Sequence, residues 1–589
     1  MHKYWLVVLF IMLYMSSKAA VLHVPENYSS INDALNILVD GDTILVQPGT
    51  YVETLTIENK YFTLASLYLT TQDTSYVSST IIDGGENDCV LRVYDTPDTC
   101  LITGFTITGG RQSGIYPDNQ GGGIFCYYAS LTLTHLVIEN NYAVGGDYSY
   151  CNGGGIYSRH SNMQMSDVII RNNHAPNGSG GGICSSYSTL FLSNMLITDN
   201  IAAHDQTNSQ GGGIDISTGS YLNISNSVFR NNSADYGGGI YISSGNELVM
   251  QNVILEYNTA SQDGGAICCN SNSPQLSNLT LNNNTAAFGG GIMCYANSSP
   301  ILDYVIIENN TALSGGGICC LTSSSPSLTH VLLAGNSSSH ESSGGGGMFC
   351  WGSSFPYLAN VTFSDNTAVD TGGAILCGHD ANPVLINCLL WNDTPQEIAC
   401  FPDHDPNSLT IAYSDLQFGQ ENILTCDNCT VNWLDGNIDT DPLLQDDFTL
   451  SELSPCRDAG IAWYEYNENL LIDLSTDEYC GSNPDMGAYE YWVEEQEESQ
   501  LIKSGLAVTC FPNPFNPSTT VNYELLDDCQ VKLIVYNIKG QKVAELLDEW
   551  QPAGKYFTRW NAAHQPSGIY FLRLSASEKY TTQKLLLLK

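Results

Sequence analysis

From about residue 100 to residue 395, apolar and polar positions alternate in short runs such as Leu131-Thr132-Leu133-Thr134 and Tyr221-Leu222-Asn223-Ile224. A period of two marks strands with one buried face. No apolar stripe at helical spacing occurs between residues 120 and 400. The runs are punctuated by Gly-Gly-Gly-Ile or Gly-Gly-Ala-Ile, ending at Ile124, Ile156, Ile183, Ile214, Ile240, Ile267, Ile292, Ile318, Met348 and Ile375. Spacings of 25 to 32 residues between these ends predict a solenoid.

A marked Asn follows each aliphatic end by 17 or 18 residues, at 141, 173, 200, 232, 258, 284, 310, 336, 366 and 392. From that Asn to the next aliphatic end the count varies between 8 and 15. One arc of each coil is therefore fixed, and length variation gathers at one corner. Short strands with corners rich in Gly and Asn, which tolerate positive φ, predict an all-β parallel β-helix. In-register Asn side chains can form an amide ladder along its axis. None of the glycine runs is followed by the Lys-Ser/Thr of a phosphate-binding loop.

Gly-Gly-Ala-Ile at 264–267 and 372–375, with Phe229–Asn232 and Phe363–Asn366 as Phe-x-x-Asn, resembles the repeats of polymorphic outer-membrane proteins. More broadly the repeats resemble the right-handed β-helices of the pectin-lyase-like superfamily. That resemblance implies the fold and says little of activity.

Upstream, His2-Lys3, the apolar run Trp5–Met15 and Ser-Ser-Lys-Ala-Ala have the form of a secretory signal peptide over residues 1–20. Eleven apolar residues are too few to span a bilayer, and no later run is long enough, so no transmembrane span is expected. The β-helix is expected over 21–492, with a closing segment at 400–492. Ser30 as N-cap, Asp33, and the face Ile31, Ala34, Leu35 and Leu38 predict a short helix over the first coil's apolar end. The stretch Ser30–Leu35, then Gly41–Val46 and Pro48–Tyr51, is similar to the start of bacterial β-helices.

The chain has 20 Cys. Cys126, Cys269, Cys294, Cys320, Cys350 and Cys377 stand two residues after the repeat aliphatic, on its inward face. Packed thiols are the first reading; disulfides between rungs and a thiolate metal site are the alternatives. Cys184, Cys268 and Cys319 sit one place earlier and are expected to point outward, with Cys268 and Cys319 reacting readily if unpaired. Cys456 with Cys480 is a candidate disulfide, and Cys426 and Cys429 are read as a local disulfide or free thiols.

The variable corner is where a ligand would be met, since loops there differ freely in length. Its candidate ligand-binding residues are His204, Asp205, His340 and Glu341, although a His beside a carboxylate in sequence does not make the two face one another. No catalytic residue is assigned. Asp435, Asn437, Asp439 and Asp441 place oxygens at alternate positions as a calcium loop can. They lack the terminal Glu and the Gly placing of an EF-hand, so a solvated turn is the first reading, and no cofactor is expected beyond calcium as a candidate.

The net charge is −42. No Lys lies between 61 and 502 and no Arg between 231 and 456. So acidic a chain is a poor partner for nucleic acid, and most of the solenoid lacks a basic side chain for lyase chemistry on acidic sugars. The signatures of polygalacturonases are also missing: Gly378-His379-Asp380 fails at the last position. Around 441–443, 454–460 and 485–490 the chain resembles the closing segment of secreted β-helix proteins.

Residues 493–502 form an acidic linker, with Glu494–Glu498 at its centre. The charge balance then changes: residues 503–589 carry 10 Lys and Arg against 7 Asp and Glu, where the preceding chain carries 9 against 54. Alternating strands and turns there predict a small Ig-like β-sandwich. Phe511–Thr520, Val535–Val543 and Ser567–Phe571 resemble a C-terminal sorting domain of the Por (type IX) secretion system. The resemblance implies the type IX secretion machinery as a partner and a mature protein released or attached to the outer cell surface. The expected function is a non-catalytic adhesin or carbohydrate-contacting scaffold, meeting polysaccharide or a neighbouring cell. The alternative is a polysaccharide lyase or glycoside hydrolase with an unfamiliar site.

Overall fold

In the computed structural model, the solenoid is described over residues 19–114, 120–145, 152–176, 178–203, 208–340, 344–401, 405–476 and 478–491. The C-terminal domain is described over 507–511, 518–525, 528–537, 541–562, 565, 568–576 and 579–587. The leader expected at 1–20 lies outside the described residues up to residue 18, as does the linker at 493–502. The chain divides into two units, Met1–Trp492 and Val493–Lys589.

The first unit is a parallel β-solenoid. Each coil contributes a strand to a 13-stranded sheet that carries the repeat aliphatic, here called the cysteine sheet. It next contributes one or two segments to a 24-stranded wide sheet, and then a short strand to a narrow sheet of six and later three strands. Pairing between successive coils is parallel, and in the cysteine sheet it is in register: Ile124 lies opposite Ile156, which lies opposite Ile183; the narrow sheet shifts register once, between Ala234 and Tyr236. The inward residues form one continuous core from Leu22 to Ile423.

The predicted helix spans Ile31–Ile37, with the Ser30 hydroxyl accepting from the Asp33 N–H at 3.0 Å. Its Ile31, Ala34 and Leu35 join the core at the first coil, which would otherwise expose an apolar end.

The glycine run is required by close approach as well as by conformation. Gly121 has φ +68°, and a Cβ on Gly122 would lie 2.5 Å from the Gly154 carbonyl oxygen of the next coil. After the fixed arc, the marked Asn residues form a buried ladder. Each donates its backbone N–H and its amide to the Oδ1 of the next, at about 3 Å, from Asn141 to Asn366. The last rung differs from the sequence expectation. Asn392 takes the left-handed corner at φ 66°, and Asp393 fills the ladder position, accepting from Asn366 at 2.7 and 2.8 Å. Glu397 is buried beside it and accepts the Asp393 N–H. Burial pushes both carboxyls up, and so does the carboxylate of Asp393 in the case of Glu397. The pair thus holds a proton that an Asn rung would not need.

Cys269, Cys294, Cys320, Cys350 and Cys377 stack in register as buried free thiols, as their spacing predicts. Cys268 and Cys319 correct the expectation of reactivity. They do lie on the outer face of the cysteine sheet, yet Cys268 is 2% exposed and Cys319 0%. The first glycine of the run folds back over them: a Cβ on Gly264 would sit 2.7 Å from the Cys268 Cβ. Tyr236, Phe288, Leu321, Trp351 and Phe401 pack against the outer-face cluster to which Cys268 and Cys319 belong. Two further pairings are also corrected. Cys429 bonds to Cys400, leaving Cys426 free, and Cys456 and Cys480 are both free.

Among its described residues, the second unit has seven antiparallel strands in sheets of three and four. Val521, Val531, Leu533, Leu572 and Leu585 are among its shared core residues. Among the described residues, no helix is long and apolar enough to cross a membrane.

Candidate ligand-binding groove

Each coil of the wide sheet bends at one residue of positive φ, giving the row His135, Asp167, Asn194, Asn226, Asn252 and Asn278. By alternation, the residues three and one before the bend face outward. Three before it, Thr132, Gln164, Phe191 and Asn223 lie opposite one another on successive coils. One before it come Ser166, Ser193 and Ser225. These two rows line an open depression of about 270 Å³. None of its lining side chains is charged, and Phe191 stands 45% exposed within it. Hydroxyls and primary amides offer both donors and acceptors.

In the later coils the same rows change character. Tyr357 and Val384 replace the amides, and Ala359, Ile386 and Ala412 replace the serines. There the chain returns and lies on the face: Ile461, Tyr464 and Ile472 pack against Ala359, Ile386 and Ala412. The Asn387 side chain pairs with the Ile461 peptide like a neighbouring strand, accepting its N–H at 2.8 Å and donating to its carbonyl at 3.0 Å. Asn360 donates to the Asp485 carbonyl at 3.1 Å, and Thr362 accepts the Ala488 N–H at 2.8 Å. At the other end, the Tyr68 ring stacks on His135 at 4.3 Å. The chain itself therefore covers both ends of this face, and between the depression and the returning segment lie the coils that carry Gln251, Ser277 and Asp303 in the inner row.

A second set of groups sits on the outer face of the cysteine sheet. Asp215 lies in register between Cys184 and Tyr241 and is 2% exposed. Its Oδ2 accepts from Ser217 at 2.8 Å and from the Cys184 thiol at 3.4 Å, while Oδ1 is buried with no partner. Burial pushes this carboxyl up to about 6, against the two hydrogen bonds. Burial likewise holds Asp263 at about 6, and Tyr241 at about 12.

Of the loop candidates, His204, Asp205 and Glu341 lie outside the described residues. His340 is exposed, with its N–H on the Leu313 carbonyl at 3.0 Å. Of the calcium candidates, Asn437 turns its amide to the Ile411 and Leu434 carbonyls and accepts the Ser414 N–H. Asp439 accepts from the Phe418 N–H and Asp441 from the Leu443 N–H, while the Asp435 carbonyl accepts from Tyr413. Among the described residues, no three His, Cys, Asp or Glu are grouped to hold a metal ion. His379 pairs with Asp405 at 2.6 Å and stacks on Trp351.

The groove was missed from sequence because its members stand 27 to 32 residues apart, in the fixed arc rather than the variable corner. Aligning the coils on the bend residue would have shown hydroxyls and amides giving way to Ala and Ile.

Residues 68–286 and 251–390 match the family model of the right handed beta helix region. Together these segments cover more than half of the chain, which therefore belongs to the right-handed β-helix family. Residues 509–588 match the secretion system C-terminal sorting domain. That domain directs export by the type IX machinery, to the cell surface or the medium. No curated protein matches the chain.

Proposed function

We propose that this is a non-catalytic surface protein whose solenoid holds carbohydrate on the wide sheet. The observation that carries this reading is the uncharged groove of hydroxyls and amides around exposed Phe191. An aromatic ring packs against the C–H face of a sugar while hydroxyls and amides exchange hydrogen bonds with its edges. The sorting domain supports delivery of that face to the outside of the cell. The loop residues His204, Asp205, His340 and Glu341 remain available as further contacts, and Asp435, Asn437, Asp439 and Asp441 as a calcium loop.

The test is to incubate the purified protein with a polysaccharide panel, scoring both binding and new reducing or unsaturated ends. Binding without new ends is expected, weakened about tenfold by Phe191→Ala. Absence of binding across the panel would end this reading.

The alternative, a polysaccharide lyase or glycoside hydrolase, predicts new reducing or unsaturated ends in the same panel.

A further inference from the structure

We infer that the groove takes a linear, uncharged, unbranched polysaccharide lying parallel to the solenoid axis, about one sugar to a coil. The inference rests on the reading of this face as a carbohydrate site and specifies the ligand's class and direction.

The direction follows from the repeat. The groove's side chains recur once per coil, in register from Thr132 through Gln164 and Phe191 to Asn223. Parallel strands lie about 4.8 Å apart, so four coils extend roughly 14 Å along the axis. The two lining rows are separated by two residues of strand, roughly 7 Å. The depression is thus longer along the axis than across it, and its width admits one chain without side branches. Each coil offers one group from the outer row and, from Ser166, Ser193 and Ser225, one hydroxyl from the inner. A polymer whose own repeat approximates the coil rise meets the same pair of groups at every unit. Phe191 supplies one stacking platform within the row.

The absence of charge follows from the lining and its surroundings. No charged side chain lines the depression, and the chain's net charge of −42 opposes a polyanion. The nearest cations along these strands are committed: Arg171 to Glu139 at 2.6 Å, and Arg230 to Glu256.

A peptide ligand is disfavoured by the protein's own example. Where this face does bind peptide, at residues 461–488, the inner row is Ala359, Ile386 and Ala412, and Asn360 and Asn387 clamp backbone groups. In the depression the inner row is Ser166, Ser193 and Ser225, and the corner amides are turned to their own neighbours: Asn194 to Asp167, and Asn252 to Asn226. The face is built differently where it is left open.

The experiment is calorimetric titration of the full chain with linear neutral oligosaccharides of two to six units, a uronate series of the same lengths, and a branched neutral series. The variant Ser193→Tyr, which blocks the groove, is run alongside after its fold is checked by circular dichroism. Affinity is expected to climb with each sugar to about four units and then level off. Uronates and branched chains should bind at least tenfold more weakly, and Ser193→Tyr should abolish binding. If glycans bind with no step in length, if uronates or branched chains bind as well, or if Ser193→Tyr leaves binding intact, the inference falls while the carbohydrate reading stands. If no glycan binds, or only an extended peptide does, both fall.

Discussion

Asp215 gives a sharp test of how the solenoid's outer face is built. Its carboxyl is 2% exposed, has one oxygen without a partner, and is pushed up to about 6 chiefly by burial. An unfolded Asp titrates near 3.9, so between about pH 4 and 6 the native chain holds a proton that the unfolded chain has released. Stability from this group is therefore fully present below about pH 4 and is lost as pH rises through 6. A gap of about two pH units corresponds to roughly 3 kcal/mol. Asp215→Asn keeps the shape and removes the titration. Relative to the parent protein, the variant should gain about 3 kcal/mol in stability between pH 4 and 7. The comparison cancels every other titrating group, including Asp393 and Glu397. Because solenoids can unfold coil by coil, urea unfolding of the full chain should be paired with amide exchange of residues 214–217. A difference between the two proteins that stays constant from pH 4 to 7, or grows in the parent's favour, would refute the burial argument.

Three further outcomes are expected. In the native protein Cys426 and Cys480, which are partly exposed, should react first with a thiol reagent, whereas Cys268, Cys294, Cys319 and Cys320 should react only on unfolding; rapid labelling of Cys319, followed by mass spectrometry, would contradict the cover over that face. Asn284→Ala strips partners from the Leu255 carbonyl, from Asn310 and from both donors of Asn258, and should cost about 3 kcal/mol or more. Exposed Gln275→Ala should stay within about 0.5 kcal/mol, both read by denaturant unfolding. Deleting one residue between Ile292 and Asn310 should disrupt the coil by circular dichroism, because a one-residue slip turns the apolar set outward; shortening Ile201–Gln210 should barely move the melting temperature.

The fold was legible because one physical constraint repeats. Gly122 must let the next coil's carbonyl approach, Asn141 must continue the amide ladder, and the inward aliphatics must alternate; each demand recurs every coil and accumulates as a period. What stayed hidden depends on segments distant in sequence or on local displacement. Alternation correctly turns Cys268 and Cys319 outward, but it cannot show that the glycine run folds back to cover them. Asp393 fills the rung in place of Asn392 beside buried Glu397, which accepts its backbone N–H from four residues on. The groove needed two facts invisible to local pattern: that Thr132, Gln164, Phe191 and Asn223 become neighbours, and that residues 461–488 return to cover the same face further along. The loop residues favoured by chemistry, such as His204 and Asp205, lie at the corner where sequence varies most, whereas the open depression is built on the arc that varies least.

The measurement closest to the central claim is hydrogen–deuterium exchange of the full chain with and without the tightest-binding neutral glycan. Added protection is expected on strands Ser130–Thr134, Asn162–Ser166, Thr189–Ser193 and the first half of Tyr221–Arg230. Protection confined to the variable corner or to the cysteine sheet, with those four strands unchanged, would contradict the claim that the bend of the wide sheet is the binding face.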